Sequence, residues 1–186
     1  MDEKVSPGRV KSMRVYTGKI ITLDMDTVRF PDGSTGELEM IRHPGASAVV
    51  PFLSDPRGDD PQVLLIRQHR YAADVYLYEI PAGRLDPGEN PHDCAVRELK
   101  EETGCTAEQL DYLLTIYTTP GFTDEKIHLY MATGLASGET KHEADEFLDL
   151  QPMLLSRALE MVHGGEIRDS KTAVGLLFAA GFRAGH

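Results

Sequence analysis

Glu98, Glu101 and Glu102 stand at i, i+3 and i+4, which puts three carboxylates on one side of a helix within a single turn. Like charges at that spacing repel by about 0.2–0.5 kcal/mol a pair, and Arg97, four residues before Glu101, relieves only part of it. Carboxylates with no thiol or imidazole beside them in sequence are hard oxygen ligands, suited to Mg2+ or Mn2+ kept partly hydrated and shared with substrate phosphates. Taken alone, the three glutamates read first as a solvated, charged helix face, and the spacing of the whole segment changes that weight. The chain's charge narrows the chemistry. Among its 186 residues, 19 Lys and Arg against 30 Asp and Glu leave a net charge of −11. Such a field repels polyanions, so no nucleic-acid partner is expected, and a smaller phosphate substrate needs a bound metal or well-placed arginines. The seven histidines form no pair at metal-ligand spacing, and neither a Gly-x-Ser-x-Gly nor a P-loop pattern occurs. Acyl transfer from a serine nucleophile and kinase chemistry therefore have no residues to carry them.

The glutamates need a helix, and residues 91–103 are punctuated as one. Asn90 can cap it, Pro91 fits its first position, and Gly104 can close it in the left-handed conformation. Before it lies a loop with Pro81, Gly83, Pro87, Gly88 and Pro91. Strands are expected at 15–23 and 36–42, with turn residues at 30–34 between them, so the first 45 residues read as an antiparallel hairpin region. Further strands are expected at 46–53, 62–68, 75–80, 112–118, 127–133 and 147–150, the last preceded by an acidic stretch at 138–146. Helices at 154–163 and 170–182 close the chain, the second capped by Asp169 or Ser170. Antiparallel runs with a few inserted helices predict an α+β fold without the strict alternation of a doubly wound sheet. Cys94 and Cys105 are too few for a disulfide scaffold and read as small apolar fillers in a reducing compartment. Residues 1–10 lack the apolar core of a secretory signal, and the apolar run 173–182 is well short of the roughly 20 residues that span a bilayer. A cytoplasmic location and no membrane contact are expected.

Gly83, Glu89, Arg97, Glu98, Leu99, Glu101, Glu102 and Gly104 fall in register with the Nudix box. That box is Gly, five residues, Glu, seven residues, then Arg-Glu-aliphatic-any-Glu-Glu-any-Gly-aliphatic. Cys105 takes the final aliphatic place. Seven fixed residues at roughly 7% frequency each coincide by chance about once in 10^8 start positions. The chain thus resembles the Nudix hydrolases, which cut a diphosphate linked to another group. The resemblance implies a fold of mixed sheets sandwiched by helices. It also implies a Mg2+ cofactor, or Mn2+, on Glu98, Glu101 and Glu102 with the Ala82 carbonyl. By the same resemblance Gly83 lets the main chain approach the metal, and Glu89 and Arg97 hold loop and helix together.

Outside the box, the runs Arg67-Gln68-His69-Arg70-Tyr71, Glu79-Ile80-Pro81-Ala82-Gly83 and Thr119-Pro120-Gly121-Phe122-Thr123-Asp124-Glu125 resemble the ADP-ribose pyrophosphatase branch, with Pro120 fifteen residues past Cys105. The implied reaction is hydrolysis of ADP-ribose to AMP and ribose 5-phosphate. The alternatives are another nucleoside diphosphate sugar such as GDP-mannose, or a sensor without turnover, against which the intact glutamates speak. Implied substrate-binding residues are Arg70, on the diphosphate, with Arg42 and Glu79. Implied catalytic residues are Glu146 as general base, Glu143 as second choice, and Glu101. Residues 1–42 are expected to form a strand arm exchanged in a homodimer, and residues 43–186 the hydrolase domain. The chain has no tryptophan to clamp a base, so Tyr16 and Phe30 are the candidates for that contact.

Overall fold

The computed structural model describes residues 7–138 and 148–183, with side chains to residue 181. In chain order the elements are β1 (Gly8–Thr17), β2 (Thr22–Arg29), β3 (Thr35–Arg42), β4 (Ala46–Pro51), β5 (Gln62–Arg70), β6 (Val75–Glu79), β7 (Ala82–Arg84), α1 (Pro91–Thr103), β8 (Cys105–Tyr117), β9 (Lys126–Ser137), β10 (Leu148–Leu154), α2 (Leu155–His163) and α3 (Ser170–Arg183).

Strands β1, β2 and β3 join in that order into an antiparallel sheet. The sequence pattern merges the end of β1 and the start of β2 into one strand at 15–23, and the structure corrects this. The chain reverses at Gly18, whose N–H donates to the Ile21 carbonyl at 2.9 Å, so Ile20 and Ile21 sit in a turn. β-branched residues favour strand only where neighbours cover them, and Ile20 is exposed. The next turn falls at 30–34 as expected, with the Asp32 carboxylate accepting from Ser34 N–H at 2.9 Å and Gly33 at φ 89°. This sheet, the chain up to Gly45 and the segment Tyr117–Lys126 form one compact unit. Within it Ile41 N–H donates to the Phe122 carbonyl at 2.8 Å.

Ala46–Ile116 and the chain from Ile127 form the second unit. Its sheets run β7-β4-β9-β8 and β10-β5-β6, with β4 parallel to β9 and antiparallel to β7. All six residues of β4 are buried, because both of its faces are covered. Val50 joins a cluster with Leu65, Leu129, Leu155, Met161 and Leu176, while Val49 joins a second with Leu64, Ala95, Leu99 and Tyr130. Helix α1 therefore lies over one face of β4 and α2 and α3 over the other, the α+β arrangement the sequence predicts. Pro152, which cannot donate to a ladder, is accommodated because β10 is an edge strand.

Several boundaries differ from the sequence reading. Ala82–Arg84 lies in the run read as a loop, yet it forms β7, with Ala82 opposite Ala48 and Arg84 opposite Ala46. β8 starts at Cys105, directly after the helix cap, rather than at 112, and β9 continues to Ser137. Such ends are set by pairing partners that no local pattern encodes. Among the described residues no helix is long and apolar enough to cross a membrane.

Candidate active site

The site is built where β7 hands over to α1. Asn90 caps the helix, its side-chain oxygen accepting from Asp93 N–H at 3.0 Å, and Pro91 occupies the first turn. Gly104 ends it at φ 71°, its N–H donating to the Lys100 carbonyl at 2.9 Å. Ser47 on β4 donates to the Pro91 carbonyl at 2.7 Å, tying the helix start to the central strand.

Arg97 is the organising side chain. Its Nε and Nη2 donate to the two oxygens of Glu89 at 2.9 and 2.8 Å, a two-point grip from helix to loop. Nη2 also donates to the Arg84 carbonyl at 3.1 Å, and Nη1 to Glu98 Oε1 at 2.6 Å and Glu101 Oε2 at 3.0 Å. The Arg97 bond, helped by the Asp86 N–H, holds the Glu89 carboxyl down at about 2 against the opposing effect of burial. The three acidic partners in turn keep the Arg97 guanidinium firmly protonated. Beside them Cys94 is a buried filler, its thiol pushed up to about 12 by burial and by the charges of Glu89 and Glu98.

Glu98 and Glu102 are buried and Glu101 is 42% exposed along its side chain. Glu102 Oε2 accepts from Ala82 N–H at 2.9 Å. A Cβ on Gly83 would stand 1.8 Å from Glu98 Oε1, so only glycine lets the β7 backbone lie against that carboxylate. The β7 backbone at Ala82 and Gly83 is thus brought against Glu102 and Glu98, while Glu101 is joined to Glu98 through Arg97; the carboxylate oxygens are donors of the kind a hard divalent cation takes. Among the described residues no three His, Cys, Asp or Glu side chains already converge on one point, since Glu98 and Glu101 lean on Arg97.

A second polar cluster stands at the ends of β5 and β6. Glu79 is 1% exposed and accepts from Arg70 Nε at 2.7 Å, from Arg70 Nη2 at 2.8 Å and from Lys171 Nζ. Burial raises its pKa, but the Arg70 bonds and the Lys171 charge outweigh this and hold it at about 2. Lys171 also pairs with Asp169 at 3.1 Å. Asp169 caps α3, accepting from Thr172 N–H at 3.0 Å, which decides between the two caps the sequence leaves open. Glu79 lies three residues before Ala82, whose N–H is held by Glu102, so the Arg70–Glu79 pair borders the box. Sequence reasoning misses Lys171, whose only signal is a cation in the first turn of a mostly apolar helix.

Arg42 lies in the other unit, on Asp24 at 3.2 Å, on Asp26, and on Asp124 at 3.3 Å. Tyr16 is exposed, whereas Phe30 packs over Gly36, where a Cβ would meet its ring at 2.8 Å. Glu143 and Glu146 lie outside the described residues. A cavity of about 970 Å³ between residues 52–57 and strands β8 and β9 holds none of the box residues.

The NUDIX domain family model matches residues 43–171. The chain is 37% identical to the ADP-ribose pyrophosphatase of Bacillus subtilis (strain 168), covering 89% of this chain and 88% of that protein. It is 39% identical to the ADP-ribose pyrophosphatase of Mycobacterium tuberculosis, over 90% of this chain and 80% of that one. To the methanol dehydrogenase activator of Bacillus methanolicus it is 38% identical, over 91% and 90%. A crystal structure of an ADP compounds hydrolase superposes with a TM-score of 0.82 over 100% of this chain and 98% of that one, and at 20% identity this likeness concerns the fold. With the box in register, the helix capped and the Gly83–Glu98 contact made, the chain belongs to the NUDIX family as a Nudix hydrolase of the ADP-ribose pyrophosphatase-like branch.

Proposed function

We propose that this protein hydrolyses the diphosphate of ADP-ribose, giving AMP and ribose 5-phosphate. The observation that carries the reading is the juxtaposition of two clusters in one unit: the box carboxylates against Ala82 and Gly83, and Arg70 on Glu79, three residues before Ala82, with an edge left open. A Mg2+ or Mn2+ ion would be held by Glu98, Glu101 and Glu102 with the Ala82 carbonyl, and the chemistry it supplies is neutralisation of phosphate charge and activation of water.

The chain's own residues do the rest. Arg70 takes a phosphate oxygen on the part of its guanidinium that Glu79 does not occupy. Arg97 and Glu89 keep the loop against α1, so that Glu98 and Glu102 stay where β7 needs them. Glu146 accepts the proton of the attacking water, with Glu143 the second choice, as water oxygen bonds to one phosphorus and the bridging P–O bond breaks. The protein works as a homodimer in which residues 1–42 of each copy serve the other, with Arg42 and Tyr16 among the residues offered to substrate. Exposed Val10, Met13, Val15 and Tyr16 on β1 support that assembly.

A panel of ADP-ribose, GDP-mannose and other nucleoside diphosphate sugars, with the products resolved by chromatography, tests the reading. ADP-ribose should have the highest kcat/KM, and a clear preference for another sugar nucleotide would overturn it. For the base, Glu146→Gln should lower kcat by about 10^2- to 10^4-fold with the Mg2+ half-saturation nearly unchanged. A silent Glu146→Gln beside an impaired Glu143→Gln would move the role to Glu143.

A further inference from the structure

Lys171 is 8% exposed, an expensive place for an ammonium unless its charge is used. Its Nζ bonds Glu79 and lies 3.1 Å from Asp169 Oδ2. Neither partner is free to shift. Asp169 is committed to the start of α3 through Thr172 N–H and through Thr172 Oγ1 at 2.6 Å, and Thr172 Oγ1 itself accepts from Ile80 N–H at 2.8 Å. The first turn of α3 is therefore laced to the end of β6, and the ammonium is fixed behind Glu79. In front of Glu79 is Arg70, which spends Nε and Nη2 on it, while Nη1 has no hydrogen bond among the described residues. The side chain of Arg70 is 41% exposed.

Two cations and two carboxylates balance in this cluster. Without Lys171, Arg70 would be the sole cation facing both Glu79 and Asp169, and it would be drawn inward by both. We infer that Lys171 is a positioning residue for diphosphate binding: its buried ammonium takes up the charge of Glu79 and Asp169, so that Arg70 is held by one edge and keeps Nη1 for a substrate phosphate oxygen. This rests on the proposed role of Arg70, and it adds a residue that touches no substrate. A lysine that served stability alone would, when replaced by a methionine of similar length, lower the unfolding free energy by leaving Glu79 and Asp169 short of a counter-charge, yet leave the substrate KM unchanged.

The test is a double-mutant cycle with Mg2+ present, using ADP-ribose and GDP-mannose as substrates. Lys171→Met should raise KM by about 10- to 100-fold with kcat within about threefold of wild type. In an Arg70→Gln background the same change should add less than about twofold, because its route runs through Arg70. Lys171→Gln serves if the methionine variant does not fold, and Lys171→Arg should recover most of the affinity. An unchanged KM in the neutral variants, or an increase that persists undiminished in Arg70→Gln, overturns the inference. A substrate-free arm uses the 15N–1H resonance of Arg70 Nε–H, which should move in the neutral Lys171 variants, and an unmoved resonance also overturns it. If wild type turns over neither sugar nucleotide, the proposed function fails and the resonance alone decides the role of Lys171.

Discussion

Gly83 and Glu98 show how a one-letter pattern becomes a physical constraint: a methyl group at 83 would occupy the space of the Glu98 carboxylate. Arg97 shows the same for spacing, since its place one turn before Glu101 and eight residues after Glu89 lets a single guanidinium reach loop and helix face together. These residues were legible in the sequence because their contacts are close in the chain. Lys171 was not, because its partner Glu79 is 92 residues away. Glu79 also governs the response to acid. Its carboxyl binds a proton less tightly in the folded protein, at about 2 against an ordinary 4.5, and Glu89 behaves alike at about 2. The stability they contribute is complete above pH 4.5 and is lost as pH falls toward 2. Replacing Glu79 by Gln should cost on the order of 3–5 kcal/mol at neutral pH, because buried Lys171 loses its counter-charge. It should also flatten the acid dependence of urea unfolding. A variant as stable as wild type, with the same acid profile, would show that the cluster is not held by this carboxylate.

Helix α1 was the most legible element because both ends carry their own signals, Asn90 with Pro91 at the start and Gly104 at the end. β7 and the first half of β8 were illegible for the converse reason. Their residues become strand only because β4 and β9 present hydrogen-bonding groups to them. The same reasoning makes the α1 caps measurable. Asn90→Ala removes the acceptor for Asp93 N–H and should cost about 1 kcal/mol. Gly104→Ala strains a residue held at φ 71° and should cost a similar amount, about 1 kcal/mol. Urea titration of both variants checks this, and loss of stability in neither would mean that packing against β4 alone defines the helix.

For the molecule as a whole, β1 is exposed along its full length, and in our proposal a second copy covers it. Deleting residues 1–42 should then yield a monomer without hydrolase activity, while wild type elutes as a dimer by light scattering. Wild type that is monomeric and fully active at the same dilution would contradict the exchanged-strand assembly. The proposed hydrolysis depends above all on the box, where Glu98 and Glu102 meet the β7 backbone. The measurement that reaches it most directly is initial-rate hydrolysis of ADP-ribose across a Mg2+ titration for wild type, Glu98→Gln and Glu102→Gln, each variant keeping its side-chain volume. Wild type should release AMP and ribose 5-phosphate in a Mg2+-dependent manner, and both variants should lose most of that turnover with the fold intact by circular dichroism. Wild-type rates and an unchanged Mg2+ half-saturation in both variants would contradict the proposal.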